Sequence, residues 1–483
     1  MRELVKPVLT LLSGSVLAQL VIYLARPVLT RLFTPEEFGM FGFYIASVAV
    51  LSSMSTGKFD DAVVLPQDHR DAWSLVGASV SVTLALGLFI LALLPMRSGL
   101  AALLKNPEAA EYLVWLPLSI LLVGTIRVFD SWLTRLRIFS GVATGRVAYA
   151  FTCTPSQVAA GSMDAGAGGL IGGIIAGQTV QAVVLAYRGF AGKRKLETLS
   201  MRLADIRKVA RRYRRFALFG APASALNVAS VQTPALLLLF FFDAAVLGQY
   251  SIAYASLGVP LTLLGTAVAQ VYYVSASDAA RTNRLADITE GVVTRLAAIA
   301  TLPLAAIVVV GPDLFSVVFG ETWREAGTFA QFLAPWIFFL LLAAPLSRLF
   351  DVLEKQRELL FYNAALLVTR AASIIIGGIA GSEVLAIALF GLTGAALSLL
   401  QIFWMIRLSG WSVLQALRRF ARFAAISLPF LAVIWGASRF LNPPSVSAVT
   451  VLAVLAYVLV LHRLDATLFS IRSDTTAEDP PEA

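Results

Sequence analysis

The chain has 483 residues, 58% of them hydrophobic and 14% charged, with a formal net charge of +9 and a mean hydropathy of +0.80. No soluble globular fold hides that much apolar surface, so composition excludes a soluble enzyme and points to a polytopic membrane protein. Cys153 is the lone cysteine, and His69 and His462 fall in a loop and at a span end, which excludes a disulfide framework and a Cys/His metal centre. No metal and no cofactor are expected.

A bilayer core takes about 20 apolar residues per helix, and Pro, Gly and charged clusters divide the chain at that interval into about 14 predicted spans. These are 8–30, 38–57, 73–95, 112–134, 144–164 and 166–188, then, beyond a basic segment, 216–241, 246–272, 290–312, 327–350, 360–381, 385–407, 422–440 and 445–462. The first span is too long, and too polar at Gln19 and Arg26, for a cleavable signal. Its Ser15, Gln19, Tyr23 and Arg26 recur at i, i+4, i+8 and i+11 on one helical face. Arg26 offers a planar fork suited to phosphate oxygens, and Gln19 and Tyr23 suit sugar hydroxyls. The competing reading is that Arg26, one turn from the outer end, snorkels to the headgroups.

In the fourth span Arg127 precedes Asp130 by three residues, on nearly the same face. The pair either neutralises itself for packing or serves as a breakable gate or ion-coupling site with Asp130 as the protonatable group. Between the sixth and seventh spans lies a basic cluster that includes Arg207, Lys208, Arg211, Arg212, Arg214 and Arg215, with Leu203, Ile206, Val209, Tyr213 and Phe216 at helical spacing on the other face. It is expected to lie as an amphipathic helix on anionic lipid headgroups. No aromatic readout surface accompanies the charge, so nucleic acid is excluded as a partner. Asn227 and Gln232 in the seventh span are candidate cavity residues, or else bond across a helix interface. In the eleventh span Arg370 shares a face with Asn363 and Ser373 and has no carboxylate one turn away. An arginine at the hydrocarbon midplane costs at least about 2.5–3.5 kcal/mol, so it faces a partner or a water-filled cavity, and a positive cavity suggests an anionic cargo.

With both termini in the cytoplasm, the inside loops carry about thirty Lys and Arg, whereas outside lie only Arg31, Arg97, Lys105, Arg324 and Arg439. An internal repeat joins the halves: Phe33 to Ser47 recurs as Phe242 to Ser256, aligning Gly39 with Gly248 and Phe41 with Tyr250. These glycines are expected to serve a tight turn back into the membrane, with the aromatic at the interface. The predicted fold is therefore all-α, with two pseudo-symmetric six-helix lobes (1–190 and 216–410) joined by a basic amphipathic linker (191–215). A C-terminal helix pair (411–465) and an acidic, disordered tail (466–483) follow.

Several motifs carry a family resemblance over roughly residues 8–410. The run Arg31-Leu-Phe-Thr34-Pro35-Glu36-Glu37-Phe38-Gly39 and the stretch from Lys58-Phe59-Asp60-Asp61 to Leu65-Pro66 lie in the first half. Leu116-Pro117 to Phe139 covers the fourth span of that half and the loop after it, and Leu247-Gly248-Gln249-Tyr250 and Asp351 to Arg357 lie in the second. Together they resemble bacterial polysaccharide (O-antigen and exopolysaccharide) flippases of the multidrug/oligosaccharidyl-lipid/polysaccharide exporter superfamily. The resemblance implies a non-enzymatic transporter of the bacterial inner membrane. It would translocate an undecaprenyl-diphosphate-linked oligosaccharide by alternating access, alongside a polysaccharide polymerase and chain-length proteins. For such a cargo the intramembrane polar residues give the candidate headgroup site: Arg26, Arg127, Arg370, Gln19, Tyr23, Asn227 and Asn363. Lys58, Asp60 and Asp61 would form an inside-surface gating network. Two alternatives stand: an ion-coupled multidrug or cation extruder, which needs buried carboxylates where this chain offers mainly Asp130, and a membrane-embedded polymerase or ligase, which needs a large outside loop. No Walker motif is present, so this chain does not hydrolyse ATP.

Overall fold

The computed structural model describes residues 2–99, 107–194, 202–259, 284–353 and 355–464, with scattered positions between 261 and 282. The side chains of 2–12, 192–194, 351 and 356 are not among those described. The expected tail (466–483) and the linker stretch 195–201 lie outside the described residues.

Every described element is helical. In chain order the main helices are α1 (Arg2–Leu32), α2 (Pro35–Ser52), α3 (His69–Leu93), α4 (Leu116–Arg135), α5 (Phe139–Gly161), α6 (Gly166–Arg194) and α7 (Leu203–Arg212). They continue as α8 (Ala221–Phe241), α9 (Ala244–Leu257), α10 (Leu285–Phe319), α11 (Arg324–Leu346), α12 (Gln356–Ile379), α13 (Glu383–Ser409), α14 (Val413–Phe440) and α15 (Pro443–Leu464). Among the described residues, 11 helices are long and apolar enough to cross a membrane: α1, α3, α4, α6, α8 and α10 to α15. The spans expected at 38–57, 144–164 and 246–272 are not among them. Two glutamates dilute the first turn of α2, Ser, Thr, Gly and Arg146 dilute α5, and α9 is described as a helix only as far as Leu257.

Local chemistry sets the breaks. Pro35 cannot extend α1, and it sits at the first position of α2, where its missing N–H costs nothing. Thr34 caps α2 reciprocally: its hydroxyl accepts from the Glu37 N–H at 3.3 Å, and the Glu37 carboxylate accepts from the Thr34 N–H at 2.8 Å. In α10 the backbone leaves the helical region at Val310 (φ −126°, ψ 23°), two residues before Pro312, which denies the ladder a donor.

Packing forms two compact units. The first comprises Met1–Val259, Val318–Phe329 and Tyr362–Phe390. Its core gathers Phe59, Trp73, Val128, Trp132, Leu133 and Leu185, with the two indoles 4.9 Å apart. Val209 of α7 is part of that core, and Ile206, Tyr213 and Phe216 pack against it. Protein thus covers most of the stripe that periodicity identifies, Leu203 at its start staying exposed, and Arg212 meets Asp71 at 3.6 Å. The basic residues remain on the exposed side.

A second correction concerns the repeat. Gly39 and Gly248 sit inside α2 and α9, and neither has positive φ. They are crossing points rather than turns. A Cβ on Gly39 would lie 1.7 Å from the Ala244 carbonyl oxygen, and one on Gly248 would lie 1.8 Å from the Pro35 carbonyl oxygen. Because Pro35 and Ala244 are themselves equivalent in the repeat, the contact is reciprocal.

The second unit comprises Pro260–Val317, Ala330–Phe361 and Gly391–Ala483. Leu302, Leu342, Phe350, Met405, Phe423 and Tyr457 anchor its core, and the Tyr457 hydroxyl donates to the Ala298 carbonyl at 2.9 Å. Packing thus groups α8, α9 and most of α12 with the first six helices, while the sequence repeat assigns them to a second lobe.

Candidate substrate cavity

Beyond their close approach at the glycines, the two repeat copies supply walls of a cavity of about 200 Å³ within the first unit. Equivalent positions line it from both sides: Phe41 and Tyr250, Gly42 and Ser251, Ile45 and Tyr254, Ala46 and Ala255. Arg26 of α1 and Gln232 of α8 complete the polar lining, and no carboxylate is among the described lining residues.

Arg26 places its guanidinium 4.5 Å from the centre of the Tyr23 ring, and its Nη1 is buried without a hydrogen-bond partner. Tyr250 and Tyr254, one turn apart on α9, stack at 5.9 Å with an interplanar angle of 8°. Arg370 of α12 acts electrostatically on both phenols, and Tyr23 on Tyr254. Helices distant in sequence therefore bring Arg26 into one cavity with Tyr250 and Tyr254, and Arg370 within electrostatic reach of those two phenols. The Arg26 guanidinium is stabilised there by a ring face, and among the described ion pairs none joins it to a carboxylate, so an anionic guest would neutralise its charge.

The remaining stripe on α1 divides. Ser15 accepts from Arg146 of α5 at 2.6 Å, and Gln19 lies half-buried between the two groups without lining the cavity. Asn227 and Asn363 are exposed and do not line it either. Arg127 is half-buried, and among the described ion pairs none joins it to Asp130. The expected pair is corrected: spacing by three puts both side chains near one face, but the short Asp130 side chain comes under the charge of Arg146 on the neighbouring helix. Its Oδ1 is buried without a hydrogen-bond partner.

Lys58, Asp60 and Asp61 are tied locally. Lys58 Nζ meets Asp61 at 3.0 Å, and the buried Asp60 carboxylate accepts from the Thr56 hydroxyl at 2.5 Å. Arg135 of α4 clamps the loop that follows, donating to the Val63 carbonyl at 3.1 Å and to the Gln67 carbonyl at 3.4 Å.

Sequence reasoning misses Tyr254 and Arg146 and takes Tyr250 for an interface anchor. The i, i+4 tyrosine pair just after Gly248 is a usable signal for the two phenols. Arg146 lies at the start of the most polar expected span, where an arginine does not stand out.

A sequence model of the family described as "Polysaccharide biosynthesis protein" matches residues 28–328. No curated protein sequence matches the chain. Among solved structures, the fold is similar to the lipid II flippase MurJ in an inward closed conformation, with TM-score 0.66 and 13% identity over 95% of this chain and 99% of that one. It is similar to an inward-facing multidrug resistance MATE family transporter of the MOP superfamily, with TM-score 0.60 and 13% identity over 81% of this chain and 94% of that one. A MOP superfamily transporter from Pyrococcus furiosus, described as having a binding pocket of reverse polarity, gives TM-score 0.55 and 15% identity over 84% of this chain and 97% of that one. These neighbours are transporters and flippases by name, none of them an enzyme.

Proposed function

The chain belongs to the polysaccharide biosynthesis protein family, and from that premise we propose that it carries an undecaprenyl-diphosphate-linked oligosaccharide across the bacterial inner membrane by alternating access, with both termini in the cytoplasm. The observation that carries this reading is the cavity bounded by Arg26, with Arg370 beside its tyrosines and no carboxylate in its described lining. A diphosphate cannot cross hydrocarbon unaided, and a guanidinium binds phosphate oxygens as a planar two-pronged donor. Tyr250, Tyr254 and Gln232 supply hydrogen-bonding groups for the first sugar, while the polyprenyl tail stays in lipid. No bond is made or broken.

In this scheme the lobes 1–190 and 216–410 move against each other. Gln19, Asn227, Asn363 and Arg127 line the path the glycan takes beyond the cavity, and the Lys58–Asp61 pair opens and closes with the inside surface. A polymerase and chain-length proteins would receive the product. A cation extruder would need carboxylates where its cargo binds, and the described lining has none. Asp130, half-buried with an unpartnered Oδ1 and under the charge of Arg146, suits an ion-coupling role instead.

The test is complementation of a strain lacking its own flippase. Arg26→Ala and Arg370→Ala should each abolish surface polysaccharide at normal protein level and insertion, and Arg370→Lys should restore only part of it because the charge returns without the fork. Wild-type polymer in both alanine variants overturns the assignment.

A further inference from the structure

A second, smaller cavity lies within the second unit, at the end expected on the cytoplasmic side. It holds about 20 Å³, room for about one water-sized group. Its lining has two characters: Arg419 and Arg422 of α14 with Thr294 of α10 on one side, and Phe423, Ile426, Leu461 and Leu464 on the other. Thr294 is 4% exposed, and its hydroxyl has no hydrogen-bond partner. Arg419 is held at the mouth by an ion pair with Glu290, whereas Arg422 has no ion-pair partner among the described residues. A buried hydroxyl without a partner and a guanidinium without a counterion, aimed at one small space, form an incomplete set of donors.

Depth decides what completes it. Between Arg422 and Arg439, α14 runs about 26 Å at 1.5 Å per residue, close to the thickness of a bilayer's hydrocarbon core. Both arginines therefore sit at headgroup level, and the apolar side of the cavity faces the first methylenes below. Basic pockets between membrane helices at that level are suited to anionic headgroups.

We propose that Arg419, Arg422 and Thr294 form a binding site for the phosphate of an anionic phospholipid of the inner leaflet, separate from the substrate cavity. One phosphate oxygen enters the cavity to accept from Thr294, the others accept from the two guanidinium groups, and an acyl chain lies along Phe423 and Ile426. The site ties α10, α14 and α15 together through a lipid.

The full chain, purified in detergent, is titrated with phosphatidylglycerol, phosphatidylcholine or inorganic phosphate while its thermal unfolding is followed, and retained lipid is weighed by native mass spectrometry. Phosphatidylglycerol should raise the unfolding temperature of the wild type. Arg422→Gln and Thr294→Val should weaken that response at least tenfold and lose the retained lipid, yet unfold at the wild-type temperature when lipid is absent. Arg418→Gln, on the same helix but outside the cavity, should respond as wild type. An undiminished response in both variants overturns the proposal, as does an equal response to phosphatidylcholine. Equal stabilisation by inorganic phosphate alone would make the site one for soluble anions and overturn it too.

Discussion

The two copies of the repeat, 33–47 and 242–256, share a scaffold and differ in chemistry. Their caps are equivalent: Thr34 accepts from the N–H of Glu37, and Asp243 from that of Val246 at 2.9 Å. Their glycines are equivalent, each receiving the other helix's backbone. One turn further on, however, the first copy presents Phe41 and Ile45 to the cavity where the second presents Tyr250 and Tyr254. The shared part fixes how the helices cross, and the divergent part makes one wall apolar and the other hydrogen-bonding. A repeat can thus keep its packing while only one copy acquires affinity for a polar cargo.

The scaffold half of this comparison is broken most severely at the glycines. Gly39→Leu and Gly248→Leu each drive a side chain into backbone that no rotamer change can clear. Overpacking costs about 1–3 kcal/mol and occasionally more, and backbone-against-backbone crossings lie at the upper end. Both variants should give little monodisperse protein in detergent, measured by size-exclusion chromatography. If one copy tolerates leucine and the other does not, the reciprocity of the contact is refuted.

The chemical half is tested at equivalent positions of the two walls. Tyr254→Ile gives the second copy the first copy's residue, removing a phenol that lies near both Arg370 and Tyr23. Transport should fall by about tenfold, equivalent to about 1.4 kcal/mol of lost transition-state stabilisation. Ile45→Val, which trims the apolar wall and removes no hydrogen-bonding group, should leave transport near wild type. Equal losses from both would show that the two walls do the same work.

These contrasts also separate what is legible in the amino-acid sequence from what is not. Arg26 and Arg370 stand out because a charge against an apolar background has few harmless explanations. Tyr250 and Tyr254 are legible only as an i, i+4 pair, since a single tyrosine near a span end is ordinary at a membrane interface. The repeat locates both cavity walls, yet a glycine needed for a crossing looks in sequence like one needed for a turn, because φ is not written in the residue type. Helical spacing places Arg127 and Asp130 near each other without revealing which neighbouring helix each faces, so Arg146 stays hidden. For α7 the periodicity shows that one face must be covered, and whether lipid or Val63, Trp73 and Trp132 covers it is a tertiary question.

The smallest effect concerns the caps. Each cap oxygen satisfies one N–H that would otherwise be orphaned at a helix start, and replacing such a residue with alanine costs about 1 kcal/mol. Thr34→Ala and Asp243→Ala should therefore lower the unfolding temperature slightly and by similar amounts, without changing transport at growth temperature. Thr34 also belongs to a capping box, so Glu37→Gln, which keeps an acceptor for the Thr34 N–H, should be milder than Glu37→Ala. Asp243 adds a negative charge at the start of α9, where the helix dipole favours it. Asp243→Asn keeps the acceptor and drops the charge, so its loss relative to Asp243→Ala separates hydrogen bonding from the dipole. A transport defect in Asp243→Asn at wild-type stability would mean that the second copy's cap contributes to the cavity's electrostatics, and the division between a shared scaffold and a divergent wall would then fail at its first residue.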